Sequence, residues 1–146
     1  MDWNSVSNDT PIFSLDGSFL QCKVVNVYDG DSCKVVFPFA EKMYRWNVRL
    51  TGYDTPEMRP PKNQENREEE KQAAYKARDF LTSKIMNPNQ LVYIKCGEFD
   101  KYGRLLGTLY LEKEDDKSIN QLMIDEGHGY EYDGGTKKKY IINLNE

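Results

Sequence analysis

The sequence predicts an α+β fold: a small five-stranded closed β-barrel of the OB type with two packed helices and room for a third. Three observations carry this. Five short runs of β-branched or alternating character recur along the chain, a helical stretch separates the third from the fourth, and a second, shorter one follows the fifth. That order suits a barrel of this kind, whose surface often binds oligonucleotides. A length of 146 residues favours one domain. We place it at residues 21–133, after an N-terminal extension (1–20) and before a short C-terminal tail (134–146).

The first twenty residues are polar, with Asp-Thr-Pro and Asp-Gly turn signals, and read as a loosely attached arm. QCKVVNVY and SCKVVFPF flank Asp29-Gly30 and predict a hairpin with a type I′ turn at that pair. MYRWNVRLTGY is the third strand, and RPPKNQENREE reads as a loop. From Glu68 to Met86, Ala73, Ala74, Ala77, Phe80, Leu81 and Ile85 recur at helical spacing. Asn87-Pro88-Asn89 stops that helix. LVYIKCGEF and LLGTLYLE are the fourth and fifth strands. SINQLMIDEG is a short helix with Ser118 and Gln121 as a capping box and Gly127 at its C-terminal cap.

Composition excludes several classes. No apolar run is long enough to span a bilayer, and the N-terminus lacks the basic start and apolar core of a signal peptide, so an intracellular, membrane-free protein is expected. Cys22, Cys33 and Cys96 form no CxxC, and His128 is the only histidine. Zinc needs more soft ligands, so three reduced, buried thiols are expected and any metal should be hard and held by oxygen. A net charge of −4 argues against a nucleic-acid coat protein. The acid is uneven, however: residues 21–62 carry seven Lys/Arg against five Asp/Glu, enough to attract a polyanion locally.

Three stretches can carry chemistry. In YDGDS, a hairpin turn accounts for Asp29 and Gly30 but not for Asp31, since a carboxylate just inside a strand is unfavourable. An EF-hand is excluded, because Cys33 and Lys34 fall where a ligand and a glycine are required. In NVRLTGYDTPE, Thr55 can cap a helical turn with Pro56 at its first position and Glu57 facing the dipole. That leaves Asp54 and Arg49, a planar fork suited to phosphate, unexplained. In FDKYGRLLG, Asp100 to Gly103 read as a hairpin turn, with Arg104 either a surface cation or a second phosphate clamp beside Lys101 and Tyr102.

Taken together, DGD, then an arginine five residues before the aspartate of DTPE, then DKYGR resemble the staphylococcal-nuclease family, over roughly Cys22 to Tyr132. The resemblance implies a calcium-dependent, sequence-nonspecific nuclease that cuts DNA and RNA to 3′-phosphate and 5′-hydroxyl ends, acting as a monomer. It implies Asp31, Asp54 and the Thr55 carbonyl as Ca²⁺ ligands, and Glu57 as the general base or as the group that orients the attacking water. It also implies Arg49 and Arg104 on the phosphate in the transition state, with Lys101 and Tyr102 on a neighbouring phosphate. The alternative is a non-catalytic nucleic-acid-binding module of the same family, but such members typically lose these acids and arginines. Two departures stand out: the chain is acidic where the family's well-known member is basic, and DGGTKKKYIINLNE is short for the family's third helix.

Overall fold

Inward alternation closes the barrel. The structure is a computed structural model and describes residues 2–132. The strands are β1 (Phe19–Asp29), β2 (Ser32–Phe39), β3 (Lys42–Leu50), β4 (Tyr53–Asp54), β5 (Leu91–Phe99), β6 (Leu105–Tyr110) and β7 (Tyr130–Glu131). The helices are α1 (Arg67–Ile85) and α2 (Ile119–Asp125). In β2, Cys33, Val35 and Phe37 are buried while their neighbours Ser32, Lys34 and Val36 are not. β6 repeats the pattern with Leu105, Gly107 and Leu109. The closed barrel runs β1-β2-β3-β6-β5, with β5 returning to β1. Every pairing is antiparallel except β3 with β6. The five-stranded barrel with a helix between its third and fourth members is therefore present. Residues 133–146, which hold the expected tail and third-helix region, lie outside the described part.

Helix α1 buries Glu70, Ala74, Ala77, Leu81 and Ile85, a stripe at three- and four-residue spacing. Its Ala77 faces the β1–β2 turn. A Cβ on Gly30 would lie 2.9 Å from the Ala77 Cβ and 2.9 Å from the Thr55 Cγ2. Tyr53, fully buried, donates its hydroxyl hydrogen to the Gly30 carbonyl at 2.6 Å. The Gly30→Ala variant should accordingly lose about 1–3 kcal/mol through overpacking. Urea unfolding measures this, and wild-type stability would show that the helix and the Thr55 loop yield freely.

Several sequence expectations shift. The β1–β2 connection is not the predicted type I′ turn at Asp29-Gly30. Asp29 pairs with Ser32, so Gly30 and Asp31 form the loop, and neither adopts a positive φ. Glycine is required there by close packing, not by backbone handedness. A two-residue turn with positive φ at both positions occurs instead at Ala40 and Glu41, between β2 and β3. No helix begins at Thr55: residues 55–66 carry no helix or strand, and α1 starts at Arg67. The third strand stops at Leu50, because Gly52 turns the chain with φ +89° before the separate β4. The capping box is half made. Ser118 accepts from the Gln121 amide at 2.9 Å, while the Gln121 side chain donates to Asp125. Gly127, at φ +78°, does end the helix as expected.

Part of the N-terminal arm is tied down. Leu15 joins the core, and the Gly17 amide donates to the Cys96 carbonyl at 2.8 Å. Phe13 lies edge-on to Phe39, with ring centres 5.3 Å apart. The three thiols are unpaired and buried. Burial pushes Cys22 up to about 12 and Cys96 up to about 11, and raises Cys33 further still. Among the described residues no helix is long and apolar enough to cross a membrane.

Candidate active site

The site is assembled where the β1–β2 turn, the end of β3, β4 and the β5–β6 turn meet. Register explains the first contact: Ser32 pairs with Arg49, which puts Asp31 beside the end of β3. The Leu50 amide donates to the Asp31 carbonyl at 2.8 Å, closing that corner. Asp31 and Asp54 are buried, at 8% and 4% exposure. Arg49 lies between them, its guanidinium nitrogens 3.3 Å from an Asp31 oxygen and 3.5 Å from an Asp54 oxygen. The same guanidinium donates to the carbonyls of Leu50 and Tyr53. Arg49 is thus turned onto the two carboxylates, because two buried acids need a counter-charge.

Asp31 titrates well above the ordinary carboxylate range. Burial is the main cause and the Asp29 charge adds to it, while Arg49 pulls the other way. Hydrogen bonding with Asp29 and Asp54 raises it further. Asp29 organises the turn: one of its oxygens accepts from the Asp31 amide at 3.1 Å and from the Ser32 hydroxyl at 2.7 Å.

β4 is held by β7, with Asp54 opposite Tyr130 and Tyr53 opposite Glu131. The approach is close enough that a Cβ on Gly129 would sit 2.6 Å from the Tyr53 ring, so only glycine fits. The Tyr132 amide donates to the Gly52 carbonyl at 3.1 Å. Asn120 braces the same corner from α2. It accepts from the Leu109 amide at 3.0 Å and donates to the carbonyls of Thr51 and Gly107 at 2.8 and 3.1 Å.

Asp100 builds the β5–β6 turn. One of its oxygens accepts from the amides of Tyr102 and Arg104 at 2.9 and 2.8 Å, and the other accepts from the Arg104 Nε at 2.7 Å. Partial burial works to raise the Asp100 pKa, but those bonds from Arg104 and Tyr102 outweigh it and hold it below the ordinary value. With Nε engaged, the Arg104 fork is oriented. Arg104 and Lys101 both lie over the Tyr102 ring, at 5.7 and 5.2 Å from its centre.

A cleft of about 300 Å³ is lined by Asp29, Asp31, Arg49, Asp54, Thr55, Pro56, Glu57, Arg104 and Tyr132. A neighbouring cavity of about 360 Å³ shares Arg49, Arg104 and Tyr132, and adds Lys101, Tyr102 and apolar wall from Leu50 and Leu106. Six sequence-predicted residues thus share one cleft, and Lys101 and Tyr102 line the adjoining one. The sequence places Asp100 in a hairpin turn but gives it no part in the site, and it gives none to Asn120, Glu70 or Tyr132. An Asp at the first position of a turn is a legible signal, whereas the reach of Asn120 is a tertiary one.

A hard cation fits the acidic corner. Among the described residues no three His, Cys, Asp or Glu side chains form a metal-binding group. The donors are the buried Asp31–Asp54 pair, which shares the Arg49 guanidinium. Two carboxylates, a backbone carbonyl and solvent suit an oxygen-ligated ion such as Ca²⁺, and they do not suit a soft metal.

A comparison with curated proteins finds no match. The family model described as staphylococcal nuclease homologue matches residues 47–145. That span includes Arg49, Asp54, Thr55, Glu57, Lys101, Tyr102 and Arg104. It begins after Asp31, which the barrel register adds to the same cleft. Such a domain is a nuclease-type hydrolase or a nucleic-acid-binding module. With more than half its length matched and a closed mixed barrel carrying two helices, this chain belongs to the staphylococcal nuclease homologue family.

Proposed function

We propose that the domain at residues 21–133 is a calcium-dependent phosphodiesterase. It would cleave DNA and RNA without sequence preference, leaving 3′-phosphate and 5′-hydroxyl ends. The observation that carries this reading is the single cleft shared by Asp31, Arg49, Asp54, Thr55, Glu57 and Arg104. All six come from one chain, so a monomer suffices.

Asp31, Asp54 and the Thr55 carbonyl would hold Ca²⁺, which supplies positive charge against the phosphate when bound. Glu57 removes a proton from the attacking water as its oxygen bonds to phosphorus. The bond to the 5′-oxygen breaks, and that oxygen takes up a proton from solvent and leaves as the hydroxyl. Arg49 and Arg104 bear on the charge that grows on the phosphate oxygens. Asp100 fixes the Arg104 fork in advance, which spares reorganisation during the reaction. Lys101 and Tyr102, in the adjoining cavity, meet the next phosphate along the strand.

The test is incubation of the protein with single-stranded DNA in calcium and then in EDTA, with the ends of the products identified. Cleavage in calcium alone, giving 3′-phosphate ends, is expected. Binding of DNA with no cleavage in calcium would replace this reading by the binding module.

A further inference from the structure

Glu70 is a carboxylate only 3% exposed, and it stands outside the cleft. Its Oε2 accepts the backbone N–H of Glu57 at 2.6 Å, and its Oε1 accepts the Gln64 side-chain amide at 2.6 Å. A buried charge is costly unless hydrogen-bonded, so these two bonds explain how Glu70 is tolerated in the core stripe of α1. They also have a consequence for the segment 55–66, which has no helix or strand of its own to hold it. That segment is tied to the start of α1 at Glu57 and Gln64 by Glu70, and at Pro60 by the Arg67 Nε at 3.2 Å.

We infer that Glu70 is a positioning residue for Glu57: its buried carboxylate pins the backbone from which the proposed base reaches into the cleft. The inference rests on the proposed role of Glu57. A helix is a rigid support, and a charge-assisted bond to an amide is short and directional. A base carried on an irregular loop needs such an anchor, since small misplacements of a reacting group are costly in rate. Glu70 does not line the cleft that holds Asp31, Asp54, Arg49 and Arg104, so its effect should fall on turnover rather than on binding.

The experiment compares Glu70→Ala, Glu70→Gln, Glu57→Gln and the Glu57→Gln/Glu70→Ala double variant. Turnover and KM on single-stranded DNA are measured, with calcium affinity by calorimetry. Glu70→Ala is expected to lower kcat about 10–100-fold, with KM and calcium affinity within about twofold of the parent. Glu70→Gln keeps an acceptor for the Glu57 amide and should recover most of the loss. In the Glu57→Gln background, Glu70→Ala should add no further loss, because it acts through the residue already removed. A further loss there would mean a general structural role and overturn the inference.

Amide exchange at Glu57 in the unaltered protein serves if Glu70→Ala does not fold. Protection of that amide is expected, and exchange at the rate of an open loop would overturn the anchor. If Glu57→Gln is inactive while Glu70→Ala turns over normally, only this inference fails. If Glu57→Gln is fully active, the base assignment under the proposed function fails instead.

Discussion

Glu57→Gln is expected to slow DNA cleavage by about 10²–10⁴-fold, the usual contribution of a positioned general base. DNA binding and thermal stability should stay close to those of the parent protein. The reasons are local. Glu57 is an exposed residue lining the cleft, and its backbone amide, which the substitution keeps, makes one of the contacts that tie its segment to α1. Gln preserves the shape of Glu but cannot take the proton from water. Single-turnover cleavage with saturating calcium isolates the chemical step. Retention of the full single-turnover rate would remove Glu57 from the role of base, while a loss confined to KM would make it a binding residue.

A second large effect is expected at Arg49. Arg49→Ala removes the cation between two buried carboxylates, along with its bonds to the Leu50 and Tyr53 carbonyls. Breaking a buried ion pair from one side typically costs about 3–5 kcal/mol, because the other charges stay behind. In EDTA, the melting temperature should therefore fall clearly below that of the parent. Calcium should raise the melting temperature of this variant more than that of the parent, since the proposed ion would offset the same Asp31–Asp54 charge. Cleavage should fall by about 10²–10³-fold even with calcium, the scale expected on losing a donor to the developing charge. Thermal unfolding with and without calcium checks the stability effect. A parent-like melting temperature in EDTA would show that Arg49 does not compensate the pair, and the electrostatic account of the corner would have to be abandoned.

Much of this architecture could be read from local pattern. The barrel strands declared themselves by alternation, and α1 by its apolar spacing. Where local reading erred, a tertiary contact had overridden the local rule. Asp-Gly predicted a turn of positive φ, yet Gly30 is glycine because α1 and Thr55 leave no room for a side chain. Thr-Pro-Glu matched a helix start, yet no helix follows, and Glu70 takes the Glu57 amide instead of a cap. Glu70 was itself within reach. Extending the stripe of Ala74, Ala77 and Leu81 back by one turn lands on it, but a glutamate there looks like one more charge in an acidic first turn.

The sequence by itself determined the elements, the barrel they build and the residue types available for chemistry. Those depend on side-chain periodicity, turn chemistry and the order of three short motifs, all properties of neighbouring residues. Only the tertiary structure decided which partner each buried charge meets: Arg49 on Asp31 and Asp54, and Glu70 on the backbone of Glu57. The Asp31 and Glu70 contacts join residues from separate elements, and how deeply a charge is buried depends on everything packed around it. The strength of a charged contact follows from that burial, which no stretch of sequence specifies alone.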